Sequence, residues 1–167
     1  VDQYVQFSKQ GLVDLTVHSG DITYELEEDK MLTRMDEIKR QYSQIPNLLL
    51  CRGNHDSDGS TSTDGVVTNN HFTERLIMND FIRKNCVTDP NHEGHYYYDD
   101  VNRKIRVIML NIASENTETV KRNGITDYGL EWLSTKALSF TDVGWEVIVF
   151  GHAPIWTGVF EGALGRR

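Results

Sequence analysis

The sequence predicts an α/β layered domain. Short apolar strands alternate with amphipathic helical segments along the chain. Three of those strands run directly into polar clusters that contain glycine. The length of 167 residues suits one domain with a sizeable core.

Taken in order, Val1, Tyr4, Val5 and Ser8 share one helical face, and Gly11 stands where a helix stops. Residues 12–17 are short and rich in Leu and Val, which predicts a buried strand leading into His18-Ser19-Gly20-Asp21. Over residues 25–42, Leu32, Met35, Ile38 and Tyr42 recur at three or four with charges between them. That spacing predicts a surface helix with one buried stripe. Pro46 and Asn47 turn the chain into a second strand at 48–51, which ends at Arg52-Gly53-Asn54-His55-Asp56.

Residues 57–70 are mostly Ser, Thr, Asp, Gly and Asn and predict a long loop. A helix is expected over 71–84, with Phe72, Leu76, Ile77, Phe81 and Ile82 on its apolar side. Residues 96–99 and 105–110 predict two strands around a turn at 101–104. The near-continuous apolar run of the second suits a strand buried on both faces. Thr126 occupies a helix N-cap position with Asp127 in the first turn, and Leu130, Trp132, Leu133, Ala137 and Leu138 mark the helix. The last strand, 147–150, enters Gly151-His152-Ala153-Pro154. No internal repeat or domain-scale linker interrupts the pattern.

Composition narrows the function classes. Asp plus Glu number 25 and Lys plus Arg 17, giving a formal charge of −8. That balance disfavours non-specific binding to a nucleic-acid backbone. A phosphorylated substrate remains compatible, because a bound metal supplies positive charge locally. The 38% apolar content is too high for a disordered chain. No run of about eighteen apolar residues offers a membrane span. Cys51 and Cys86 are expected to be buried thiols in a reducing compartment. Residues 1–10 lack the apolar run of a signal peptide, and position 1 is not Met, so the natural N-terminus is expected upstream.

The chemistry gathers at strand ends, where ligands bind in open α/β sheets. Were the three strands neighbours, Asp21, Asn54 and His152 would converge. Carboxylate, amide oxygen and imidazole suit Mn, Fe, Zn or similar divalent ions. The absence of Cys from the clusters argues against a structural zinc site. Asp21 has two oxygens with which to bridge two ions, as paired-metal phosphoryl hydrolysis requires.

His18-Ser19-Gly20-Asp21, Gly53-Asn54-His55-Asp56 and Gly151-His152-Ala153-Pro154, in this order, resemble the motifs of the calcineurin-like metallophosphoesterases. The resemblance covers residues 12–155. At average residue usage a chance Gly-Asn-His-Asp is on the order of one in a thousand for such a chain. Tyr96-Tyr97-Tyr98-Asp99, residues 105–111 and Leu130-Glu131-Trp132-Leu133 look, less specifically, like phage and bacterial members.

The resemblance implies a β-sandwich of mixed sheets flanked by helices. It implies two divalent metal ions, with Asp21 bridging both and Asn54 and His152 on the second. His55 would face the phosphate and protonate the leaving oxygen, and Asp56 would orient His55. A metal-activated water would attack a phosphate mono- or diester.

The family's opening Asp-x-His motif does not precede Gly20, and Pro154 stands where a closing Gly-His-x-His motif would have its second His. Residues 1–167 are therefore expected to be one partial domain, poorly active or inactive by itself, and with no signal peptide visible its expected location is cytoplasmic or virion-associated. The alternative is a non-catalytic scaffold or virion component that retains the fold.

Other polar residues carry simpler expectations. His18 is expected to pack against the site. His71, His92 and His95 are expected to be structural or at the surface. Asp58 and Asp64 are read as loop solvation and the Tyr96 to Tyr98 run as strand packing, while Trp156 either walls the cleft or fills core.

Overall fold

Alternation along one strand, Ile105–Leu110, divides the core in two. Val107 and Met109 join a cluster with Met35, Leu48, Leu50 and Ile82, while Ile108 and Leu110 join Ile112, Trp132 and Ala137. Every side chain from Arg106 to Leu110 is buried, as expected for a strand covered on both faces. The computed structural model describes residues 2–23, 28–53, 56, 79–91, 94–112, 124–140 and 143–153. The expected loop at 57–70 and the first part of the helix expected at 71–84 lie outside the described residues.

The elements run α1 (Asp2–Lys9), β1 (Thr16–His18), α2 (Glu28–Tyr42), β2 (Leu48–Leu50), α3 (Asp80–Asn85), β3 (Cys86–Thr88), β4 (Tyr96–Asp100), β5 (Ile105–Leu110), α4 (Asp127–Trp132) and β6 (Glu146–Gly151). A π-helical turn, Leu133–Ala137, extends α4. β1 and β2 pair in parallel as one sheet, with Val17 opposite Leu49. The second sheet has the order β3-β4-β5-β6, with β5 and β6 parallel and the other pairs antiparallel. Two sheets, one parallel and one mixed, flanked by helices, match the expected architecture. Among the described residues no helix is long and apolar enough to cross a membrane.

Local chemistry explains the element ends. Gly11 adopts φ +68°, the left-handed stop after α1. Asn79 caps α3 by accepting from Ile82 N–H at 2.9 Å, and its amide donates to the Leu48 carbonyl at 3.0 Å, tying the helix to β2. Thr126 caps α4 by accepting from Gly129 N–H at 3.0 Å.

Some elements differ from the sequence expectation. β1 begins at Thr16 rather than residue 12, because Leu12 is 68% exposed and only the residues facing β2 join the ladder. β3 was not expected; its three residues are held by pairing with the Tyr96 to Tyr98 run. Among the described residues β6 lies at a sheet edge, with Val147, Ile148 and Val149 exposed. Cys51 is buried and Cys86 half-buried, both are free thiols, and burial pushes each up to about 12. For Cys86 the Asp99 charge adds to that shift.

Candidate metal centre

The ends of β1 and β2 touch backbone to backbone. Gly20 has φ +99°, and a Cβ there would overlap Gly53 N and lie 2.7 Å from Gly53 Cα. A Cβ on Gly53 would in turn meet the Asp21 main chain and carboxylate. Both glycines are required by close approach, the reason glycine precedes the polar residue in each cluster. Asp21 follows with φ +55°, a left-handed conformation that Asp tolerates better than most residues.

Asp56 holds this junction together. Its Oδ2 accepts from Asp21 N–H at 2.9 Å and Gly53 N–H at 2.7 Å. Its Oδ1 accepts from Ile22 N–H at 2.7 Å, Thr23 N–H at 2.8 Å and the Thr23 hydroxyl at 3.1 Å. The carboxylate is fully buried. Burial pushes its pKa above the ordinary value, and the donors from Thr23, Gly53 and Ile22 pull the other way. With both oxygens occupied, Asp56 serves as the anchor of two loops rather than as a ligand.

His152 reaches the same place from the other sheet. Its Nδ1 is 2.8 Å from the Ser19 carbonyl oxygen. A carbonyl only accepts, so Nδ1 carries the proton and donates. In the neutral ring Nε2 then holds the lone pair, and Nε2 lies 3.4 Å from Asp21 Oδ1. That distance exceeds the about 2.7–2.9 Å of a made charge-assisted hydrogen bond. It equals the spacing of two ligands that share one ion at about 2.1 Å each in tetrahedral geometry, roughly 3.4 Å. Metal-binding His residues commonly donate one ring N–H to a backbone carbonyl, as His152 does to Ser19. The pair therefore fits a divalent cation. Asp21 keeps 36% of its side chain exposed and His152 17%, so the site opens to solvent.

Of the sequence-selected residues, Asp21 and His152 meet, and Asp56 lies beneath them. Asn54 and His55 lie outside the described residues, as do His71, His92, Asp58, Asp64 and Trp156. Among the described residues no group of three or more His, Cys, Asp or Glu side chains could hold an ion. The convergence also differs in origin from the expectation of neighbouring strands. β1 and β2 are neighbours, but β6 pairs with β5 in the other sheet, so His152 meets Asp21 across the two sheets.

The surrounding histidines are packed. His18 Nδ1 accepts from Gly20 N–H at 3.2 Å, and its ring sits 5.8 Å from that of Tyr42. Burial lowers its pKa, opposed by the Asp56 charge. His95 is buried against Trp132, with ring centroids 5.7 Å apart, and accepts from Asn111 N–H at 3.1 Å. Two contributors were not foreseen. The Ser19 carbonyl is a backbone group and leaves no mark in a sequence. Thr23 could have been suspected only from its place two residues after Asp21.

No curated protein and no solved structure is similar enough to the chain to count as a match. The profile of one family, described as Calcineurin-like phosphoesterase, matches residues 2–164. That span takes in all three strand-end clusters and both sheets. With two sheets bringing Asp21 and His152 together over a buried Asp56, the chain belongs to the calcineurin-like phosphoesterases.

Proposed function

We propose that this protein hydrolyses phosphate mono- or diesters at a binuclear metal site, in which Asp21 would serve both divalent ions and Asn54 and His152 would hold the second. The family implies a metal-dependent phosphoesterase. The observation that carries the finer reading is His152, whose Nδ1 is committed to Ser19 and whose Nε2 faces Asp21 Oδ1 at 3.4 Å. When bound, the ions supply Lewis acidity to the phosphate and to the attacking water.

The chain's own residues do the rest. Asp21 and His152 hold charge and position at the strand ends. Hydrolysis breaks the ester P–O bond, forms one to the water oxygen and requires a proton at the leaving oxygen. His55, next to Asn54 in the Gly53-Asn54-His55-Asp56 cluster, is assigned to face the phosphate and deliver that proton. Asp56 is assigned to orient His55, and its hydrogen bonds to Gly53 and Asp21 already fix the loops on either side.

The test is hydrolysis of bis(p-nitrophenyl) phosphate and p-nitrophenyl phosphate with Mn²⁺, Zn²⁺ or Fe²⁺. Expected is turnover that chelation abolishes and that His55→Ala lowers by at least about a hundredfold. No turnover with any ion, together with no metal uptake, would favour the scaffold reading.

A further inference from the structure

A cleft lies away from the strand-end cluster. It is formed by the C-terminal part of α2, the turn at 45–47, β2 and α3, and has a volume of about 710 Å³. That is within the usual range for small-molecule sites. None of Asp21, Asp56 or His152 lines it.

Its chemistry is divided between floor and rim. Ile45, Leu48 and Leu50 are buried residues at the floor, with half-buried Phe81 beside them. Lys39, Arg83 and Lys84 stand at the rim and are exposed. Asp80 is the one acidic residue among the described residues of the lining, 3.7 Å from Lys84. A chain of formal charge −8 thus gathers three cations around one apolar floor. Lys39 comes from the last turn of α2, and Arg83 and Lys84 from that of α3. An inorganic anion would leave the floor unused, and a neutral apolar molecule would leave the rim unused.

We propose that this cleft binds an amphiphilic anion: an anionic group at Lys39 and Lys84, joined to a flat or acyl body over Tyr42, Pro46 and Phe81, the apolar lining residues that are not buried. The site is independent of the metal centre and does not rest on the hydrolytic reading. Tyr42 lines the cleft, and its ring lies 5.8 Å from that of His18.

The probe is 8-anilinonaphthalene-1-sulfonate, titrated by fluorescence into the folded chain in EDTA, so that no metal-bound anion contributes. Expected is saturable 1:1 binding, displaced by 1-naphthalenesulfonate but not by equimolar inorganic sulfate or 1-naphthalenemethanol. The exposed double variant Lys39→Glu, Lys84→Glu should bind about tenfold more weakly or worse. Lys9→Glu on α1, also exposed, should bind as the parent does, and far-UV circular dichroism should show all three chains folded. Unsaturable binding, equal binding by the double variant, or displacement by sulfate alone would overturn the proposal.

Discussion

The Tyr96 hydroxyl engages both backbone polar groups of Leu50, donating to its carbonyl at 2.8 Å and accepting from its N–H at 2.7 Å. Tyr96 belongs to the mixed sheet and Leu50 to the parallel pair, so one buried side chain pins the two sheets together. Asp21 and His152 follow strands of those same two sheets.

Tyr96→Phe keeps the ring and removes the pin. It leaves a buried N–H and C=O without that partner, a cost of about 2–4 kcal/mol. Urea denaturation should show that loss with an unchanged slope. A change below about 0.5 kcal/mol would mean the hydroxyl is not what joins the sheets.

Asp56 is the corresponding anchor at the strand ends. Asp56→Ala strands several buried donors, and Asp56→Asn sets an NH₂ group against N–H groups. Each should cost about 3–5 kcal/mol, read by urea denaturation without metal. An Asn variant as stable as the parent would remove the carboxylate from its anchoring role.

Three glycines should fail in a graded way. Gly53→Ala and Gly20→Ala each drive a methyl into the facing backbone and should cost about 3 kcal/mol or more. Gly11→Ala, at φ +68° with nothing within 4 Å, meets only the left-handed backbone penalty of about 1–2 kcal/mol. Thermal unfolding ranks the three, and a reversed order would contradict the close approach of Gly20 to Gly53.

His18 carries a pH signature. Burial holds its pKa below the ordinary 6.5, with Asp56 opposing. The folded state therefore resists protonation more than the unfolded chain. Its contribution to stability is full above pH 6.5 and declines as pH falls from 6.5 towards the folded value. An imidazole titration by NMR on the metal-free chain should give a midpoint below 6.5 for His18. A midpoint above 6.5 would show the Asp56 charge outweighing burial.

Much of the layout was legible in the sequence because its periods are strong. The Leu32, Met35, Ile38, Tyr42 stripe matches α2, the apolar run at 105–110 matches a strand buried on both faces, and Thr126 caps α4. β3 was missed because Cys86–Thr88 is only three residues long, with Val87 half exposed. At the site, Asp21 and His152 were legible as residue types beside glycine at strand ends. How His152 arrives was not. Its partner is the carbonyl of Ser19, 133 residues away in sequence, and the strand before it pairs in the other sheet. Backbone acceptors and cross-sheet approaches leave no local pattern to read.

The proposal that Asp21 and His152 hold a divalent cation is tested most directly by calorimetric titration of Mn²⁺ into the chelator-stripped chain. Saturable binding is expected, weakened at least about tenfold by Asp21→Asn and again by His152→Ala, with both variants folded by circular dichroism. Mn²⁺ affinity unchanged in both variants would show that the 3.4 Å pair is not a metal site.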